Sequence, residues 1–514
     1  MKEQIHKLGE IKKTNTPSNK ALSFLSSNLC FSIIISIVYI LLIGYLNYLS
    51  YQAGAYTMYD LGTNYRTLHM FILTHTFVTE STSYITVSPN SFTKLIYMPL
   101  SLTLLVYDSP FTLLFDQVIF MGFSSVIIFL ISYYHTSNKN ISLFIQLIFL
   151  LNPATFGFMA NGGNFMVFFE PLFLLSYYFF LKQNKKLFII TIFFASITNF
   201  FSPFVLLLFY GIHYLSTYWS FLWKARKRKK ASKEGKYLDD HRISIRNNYH
   251  ILFLILFVAT IIILEVKSYS LSGILSLSRI SDAGSVSQLS NQSGFLPTIE
   301  TNLTHNIWSK IQFFNQMNFP LLFMSLMTPY AVLIILYTLG VSGTNYSPYL
   351  AISTQYVFII MGVVFVSAII TLSKVKSYKK RKILVLSMLI FTIISFSLYS
   401  PFNIYNFNNG VIHEKYTVTA KDYEINNVIS TIPTNASVFI NGNPYLATFK
   451  CENIFMPGDY NNQTINFVIN NPEGANMYWT HYFTNNSLYG LYAYVQGVSF
   501  YENGYNGTPI VYYT

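Results

Sequence analysis

From Leu29 to about Leu49 the chain is almost wholly apolar, behind a polar, Lys-bearing tail of residues 1–27. About 20 such residues suffice to span a bilayer as a helix. No small-residue cleavage site follows, so the run is expected to be an uncleaved anchor. Thr93 to Tyr107 is apolar but short and contains Pro99, which suits a dipping segment better than a span. Phe111 to Tyr134 is long enough to cross. Two apolar hairpins follow. Residues 141 to 181 bend between Asn152-Pro153 and Asn164, and residues 187 to 223 turn at Asn199 to Pro203. Their legs are short, as in half-helices that line a cavity. Tyr249 to Glu265 crosses again, Pro320 to Leu339 is broken by Pro329 and reads as re-entrant, and 354–372 and 383–399 are two further spans. The pattern predicts a membrane α-helical bundle over residues 28–399, with about 8 to 11 spanning or re-entrant helices.

After Ser400 the pattern changes. A helical period over Ala420 to Ile432 gives way to short β-type runs, beginning at Ser437, Ile465, Leu491 and Pro509, with Asn/Gly turns between them. Residues 400–514 are expected to form a small exterior α/β domain.

The 514 residues are 52% hydrophobic and only 10% charged, too apolar for a soluble globule of this length. Of the 33 basic residues, 25 fall in five places: the N-terminal tail, Lys139, Lys182–Lys186, Lys224–Arg246 and Lys374–Lys382. Each borders an apolar run, which is the positive-inside arrangement. The net charge of +13 thereby points to anionic lipid and not to nucleic acid. The tail and the basic loop 224–248 are placed in the cytoplasm, and loops 50–93 and 267–318 outside. Two cysteines, Cys30 and Cys451, make no disulfide framework, and Walker, HEXXH, GXSXG and CXXC motifs are absent.

Asp60 is the sole acid between Glu10 and Glu80. A carboxylate just outside a span can act as a general base, or can cap the helix that the period Leu61, Tyr65, Leu68, Ile72 predicts. Asp116 and Glu170 begin two apolar segments on the same outer side as Asp60. Buried carboxylates in a bundle commonly face a cavity or its interior, and the three converging would make an acid/base pocket in which Asp116 and Glu170 bind substrate. Arg66 and His69, three apart on one helical face, together with Lys94 are the basic groups best placed for a lipid-borne phosphate. Interfacial hydrogen bonding and snorkelling are the structural alternatives for all of them.

The order Tyr59-Asp60-Leu61-Gly62, Lys94-Leu95-Ile96-Tyr97-Met98-Pro99, Asp108-Ser109-Pro110-Phe111, Leu151-Asn152-Pro153, Tyr489-Gly490-Leu491 and Glu502-Asn503-Gly504-Tyr505 resembles a prokaryotic family, expected to be archaeal, of multi-pass membrane proteins of unknown function. That family is related to the GT-C superfamily of glycosyltransferases that use lipid-linked sugars. The resemblance implies a polyprenyl-phosphate sugar donor, membrane lipid as surroundings, no cofactor or metal, and transfer to an exterior acceptor in cell-envelope glycan assembly. It implies Asp60 as the base, with Arg66 or Lys94 on the donor phosphate. A non-catalytic envelope-binding protein and a lipid or solute transporter remain the alternative readings.

Overall fold

The computed structural model describes residues 19–54, 59–75, 94–160, 165–198, 201–233, 307–344, 357–409, 415–442, 448, 450–451, 453–455, 464–472 and 475–512. Residues 1–18 of the tail, half of the first exterior loop, most of the second, the crossing expected at Tyr249 to Glu265 and the second half of the basic loop lie outside these residues.

The first helices are α1 (Asn19–Gln52), α2 (Tyr59–Thr74), α3 (Lys94–Leu104) and α4 (Pro110–Thr136). Next come α5 (Lys139–Leu150), α6 (Pro153–Ala160), α7 (Phe169–Leu181), α8 (Lys185–Ser196) and α9 (Ser202–Lys233). The last of the bundle are α10 (Ile307–Asn318), α11 (Ala331–Thr344), α12 (Phe358–Ser373) and α13 (Tyr378–Tyr399). Among the described residues α4, α13 and the Asn28–Gln52 part of α1 are long and apolar enough to cross a membrane. The expected dipping segment is the eleven-residue α3 with Pro99 inside it. The hairpins are broken as read: α5 stops before Asn152-Pro153, α6 is eight residues long, and two 3₁₀ turns precede Pro329 and α11. One segment differs from expectation. α9 runs without a break through Lys224–Lys233, because Lys, Arg and Ala are good helix formers and no Gly or Pro occurs there before Gly235.

At the centre stands α12, whose residues are buried except Ile370 and Ser373, as an all-round apolar helix requires. α1 and α13 form the rim, with only 28% and 22% of their apolar windows covered. α1 and α4 approach closely: a Cβ on Gly122 would fall 2.5 Å from Cδ1 of Ile40, and one on Gly44 would fall 3.0 Å from Phe115. Small residues permit such approach in lipid, and polar side chains hold it. The amide of Gln146 on α5 reaches Ser32 O (2.9 Å), Ser36 Oγ (2.9 Å) and Ser125 Oγ (3.2 Å). At the far end of α4, Arg381 donates to the carbonyls of Thr136 (3.0 Å) and Val375 (2.8 Å).

The chain then forms α14 (Ile404–Asn408), α15 (Ala420–Thr431) and β1 (Ser437–Asn441), followed by β2 (Asn453–Phe455) and β3 (Phe467–Asn470). It ends with α16 (Met477–Asn485), β4 (Tyr489–Val495), β5 (Val498–Asn503) and β6 (Ile510–Tyr512). One sheet results, in the order β2-β1-β3-β5-β4-β6, mixed in direction. Alternation along β1 sends Val438 and Ile440 to one face and Phe439 to the other. Phe439 meets Phe483 and Trp479 of α16. The opposite face shares a core with Ile425, Val428 and Ile429 of α15, and that core is continuous with the bundle's. β4 and β5 are joined by Gln496-Gly497, both at positive φ, as a two-residue type I′ hairpin turn demands.

Candidate functional site

α2 is set by its apolar stripe. Leu61, Tyr65 and Leu68 are buried, Ile72 partly so, and Arg66 is half-buried on the flank. The helix begins at Tyr59, which puts Asp60 in its first turn and not ahead of it. The side chains of Asp60 and Lys94 lie outside the described residues.

His69, one turn beyond Tyr65, is buried, with its ring stacked on the tyrosine at 5.4 Å between centroids. Its partner comes from the link between α3 and α4. Ser109 caps α4 by accepting from Phe111 N–H, and Pro110 occupies the first helical turn. This start fixes the preceding Asp108, whose Oδ1 lies 2.9 Å from His69 Nδ1 and accepts from the Tyr65 hydroxyl at 2.9 Å.

The pair joins a buried ring to a carboxylate whose side chain is 51% exposed. Burial works to raise the Asp108 pKa, but the hydrogen bond and charge of His69 and the Tyr65 hydroxyl outweigh it and hold the carboxyl below its usual range. The Tyr65 phenol moves up, through burial first and then the negative charge of Asp108. A carboxylate only accepts hydrogen bonds, so Nδ1 must carry the hydrogen. Whenever the ring is neutral its lone pair is on Nε2, which is buried and without a partner among the described residues. An acid that fixes a histidine's tautomer leaves the far nitrogen ready to take a proton or hold a donor group.

Arg66 lies near enough to Cys451 of the C-terminal region for its charge to work against the upward push of burial on that thiol. Cys451, whose thiol lies 3.8 Å from the Pro433 carbonyl, also interacts electrostatically with Tyr65.

The two acids expected deeper in the bundle each bond to another helix through one carboxylate oxygen, and Oε1 of Glu170 is buried with no hydrogen-bond partner among the described residues. Asp116 on α4 accepts from the Thr103 hydroxyl of α3 at 2.7 Å. Glu170 on α7 is completely buried, and its Oε2 accepts the N–H of Gly362 on α12 at 3.1 Å. Asp108, Asp116 and Glu170 are thus each bonded to a different element. Among the described residues no group of three His, Cys, Asp or Glu side chains could hold a metal. The residues that sequence reasoning did not single out are Asp108 and Tyr65. The available signal for Asp108 was its place just before a Ser-Pro helix start.

Nine chains of solved structure match this one. They include the crystal structure of ArnT from Cupriavidus metallidurans bound to undecaprenyl phosphate, with a TM-score of 0.52 and 9% identity. The match covers 91% of this chain and 97% of that one. At this identity the likeness is one of fold, and the bundle is GT-C-like. No curated protein matches. The family described as predicted membrane protein (DUF2079) matches residues 55–477, and the chain belongs to that membrane-protein family.

Proposed function

We propose that this protein is a membrane glycosyltransferase that moves a sugar from a polyprenyl-phosphate donor to an acceptor hydroxyl outside the cell membrane. The observation that carries the reading is the pairing of His69 on α2 with Asp108 just ahead of α4, in a bundle whose fold is shared with a protein crystallised with undecaprenyl phosphate. In the reaction a base takes the proton of the acceptor hydroxyl, and its oxygen attacks the anomeric carbon. The bond from that carbon to the phosphate oxygen breaks, and the electron pair leaves on polyprenyl phosphate. Asp60 is assigned as the base. Arg66 and Lys94 are assigned to the donor phosphate, where developing negative charge needs fixed positive partners. His69, its Nδ1 tied to Asp108, offers Nε2 to the bound substrate. Asp116 and Glu170 are assigned to holding α3 and α12 in place around the site.

The test is transfer from polyprenyl-phosphate-linked radiolabelled sugars in proteoliposomes, with thermal melting as the folding control. Asp60→Asn should lower turnover by about 10²–10⁴-fold, the usual worth of a positioned base. Arg66→Ala should weaken donor binding, and Asp108→Asn should lower turnover without unfolding the protein. Full activity in Asp60→Asn would remove Asp60 from the chemistry. No transfer from any donor by well-folded protein would favour the envelope-binding alternative.

A further inference from the structure

A groove of about 530 Å³ lies between α1, α5 and α13, at the end of the bundle away from Asp108. α4 has 27 residues and so runs about 40 Å from Pro110 to Thr136, which separates the two ends by more than the hydrocarbon thickness. One wall repeats at helical spacing on α5: Asn140, Leu143, Phe144 and Leu147. The facing wall repeats on α13, with Tyr378, Lys382 and Leu386. The apolar part is a cleft on lipid-facing helices, and the polar rim is Lys382, Tyr378 and Asn140.

The rim and the depth together select an occupant. Lys382 is exposed and lies in the basic run Lys379-Lys380-Arg381-Lys382, and α5 begins at Lys139, so the positive end of its dipole meets the same rim. From Tyr378 to Leu386 the groove descends eight residues, or about 12 Å. That is most of one leaflet of a core about 30 Å thick. Lysine at the head-group level with an apolar channel most of one leaflet deep fits a membrane lipid with a negative head, and a Tyr at the mouth suits the interface.

We infer that this groove is a binding site for one anionic phospholipid of the leaflet beside the basic segments, with the head group at Lys382 and an acyl chain between Phe144 and Leu386. The site is separate from the one assigned to the polyprenyl donor, and it does not depend on the glycosyltransferase reading.

The test is native mass spectrometry of the full chain released from nanodiscs of phosphatidylcholine with or without about one-fifth phosphatidylglycerol. Wild type should retain one phosphatidylglycerol in preference to phosphatidylcholine. Lys382→Gln should weaken that preference about fivefold, the effect of one basic residue near an anionic surface. Leu386→Trp, which fills the groove and keeps the charge, should abolish retention. Both positions are exposed, and an unchanged melting temperature confirms folding; should one variant melt early, lipid retention by the other decides. Equal retention of the two lipids, retention unaffected by both variants, or preferential retention of added polyprenyl phosphate at this groove would overturn the assignment.

Discussion

The carboxylate of Glu170 crosses from α7 to α12 and accepts the backbone N–H of Gly362 at 3.1 Å, deep in the bundle. The contact exists because Gly362 has no side chain. A Cβ there would fall 2.7 Å from Cδ1 of Phe173 and 3.0 Å from Oε2 of Glu170. Gly362→Ala should therefore destabilise the protein by about 1–3 kcal/mol, as overpacking of a filled core does. A melting curve in mild detergent reads this directly, and an unchanged midpoint would show that α7 and α12 can part freely.

Arg381 bridges two carbonyls, those of Thr136 and Val375, with different guanidinium nitrogens. Lysine carries the charge but not the fork. Arg381→Lys should cost about 1 kcal/mol, the order of one hydrogen bond at a partly exposed site, and Arg381→Ala should cost more. A melting temperature for Arg381→Lys equal to that of wild type would mean that the fork contributes nothing.

Gln146 gathers α1, α4 and α5 through Ser32, Ser36 and Ser125. Interhelical hydrogen bonds in membranes average about 0.6 kcal/mol and reach roughly 1.7. Gln146→Leu should lose about that much. A double variant with Ser36→Ala should be less than additive, and strict additivity would place the two side chains in independent contacts.

Cys451 supplies a pH signature. Burial pushes its thiol up to about 11 from an ordinary 9.0, against the lowering charges of Lys450 and Arg66. A raised pKa means that the folded state holds the proton more tightly. The resulting stability is complete below about pH 9 and is lost as pH climbs toward 11. Cys451→Ala should flatten this alkaline limb in melting experiments. Maleimide should label Cys451 only after unfolding, and rapid labelling of native protein at neutral pH would contradict its burial.

Asp108 gives the acid counterpart. Its pKa is depressed by His69 and Tyr65 against the effect of burial, so its contribution is present above the ordinary carboxylate pKa of about 4 and fades as pH falls below it. Asp108→Asn should lose stability near neutrality and show a shallower acid limb than wild type. Parallel acid limbs would mean that the pair adds nothing to folding.

The apolar runs made the bundle legible, since spans and breaks follow from length and from Pro99, Pro153 and Pro329 alone. The strands at Ser437, Phe467, Tyr489 and Ile510 were legible too, through β-type residues between turns. β2, with three residues, is too short to show a period, and α16 (Met477–Asn485) is dominated by aromatics and Thr, whose helix propensity is weak. The site was half legible. α2 and His69 announced themselves by spacing, whereas Asp108 sits 39 residues from His69, a pairing that no local pattern encodes. Glu170 stood out as an acid in an apolar run, but its partner is a backbone N–H, which carries no sequence signal at all.

The core beneath the C-terminal sheet merges with that of the bundle, and Cys451 adjoins α2. Sheet and bundle therefore share one core, so a chain shortened before Ala420 would strip apolar cover from the bundle as well as lose the sheet.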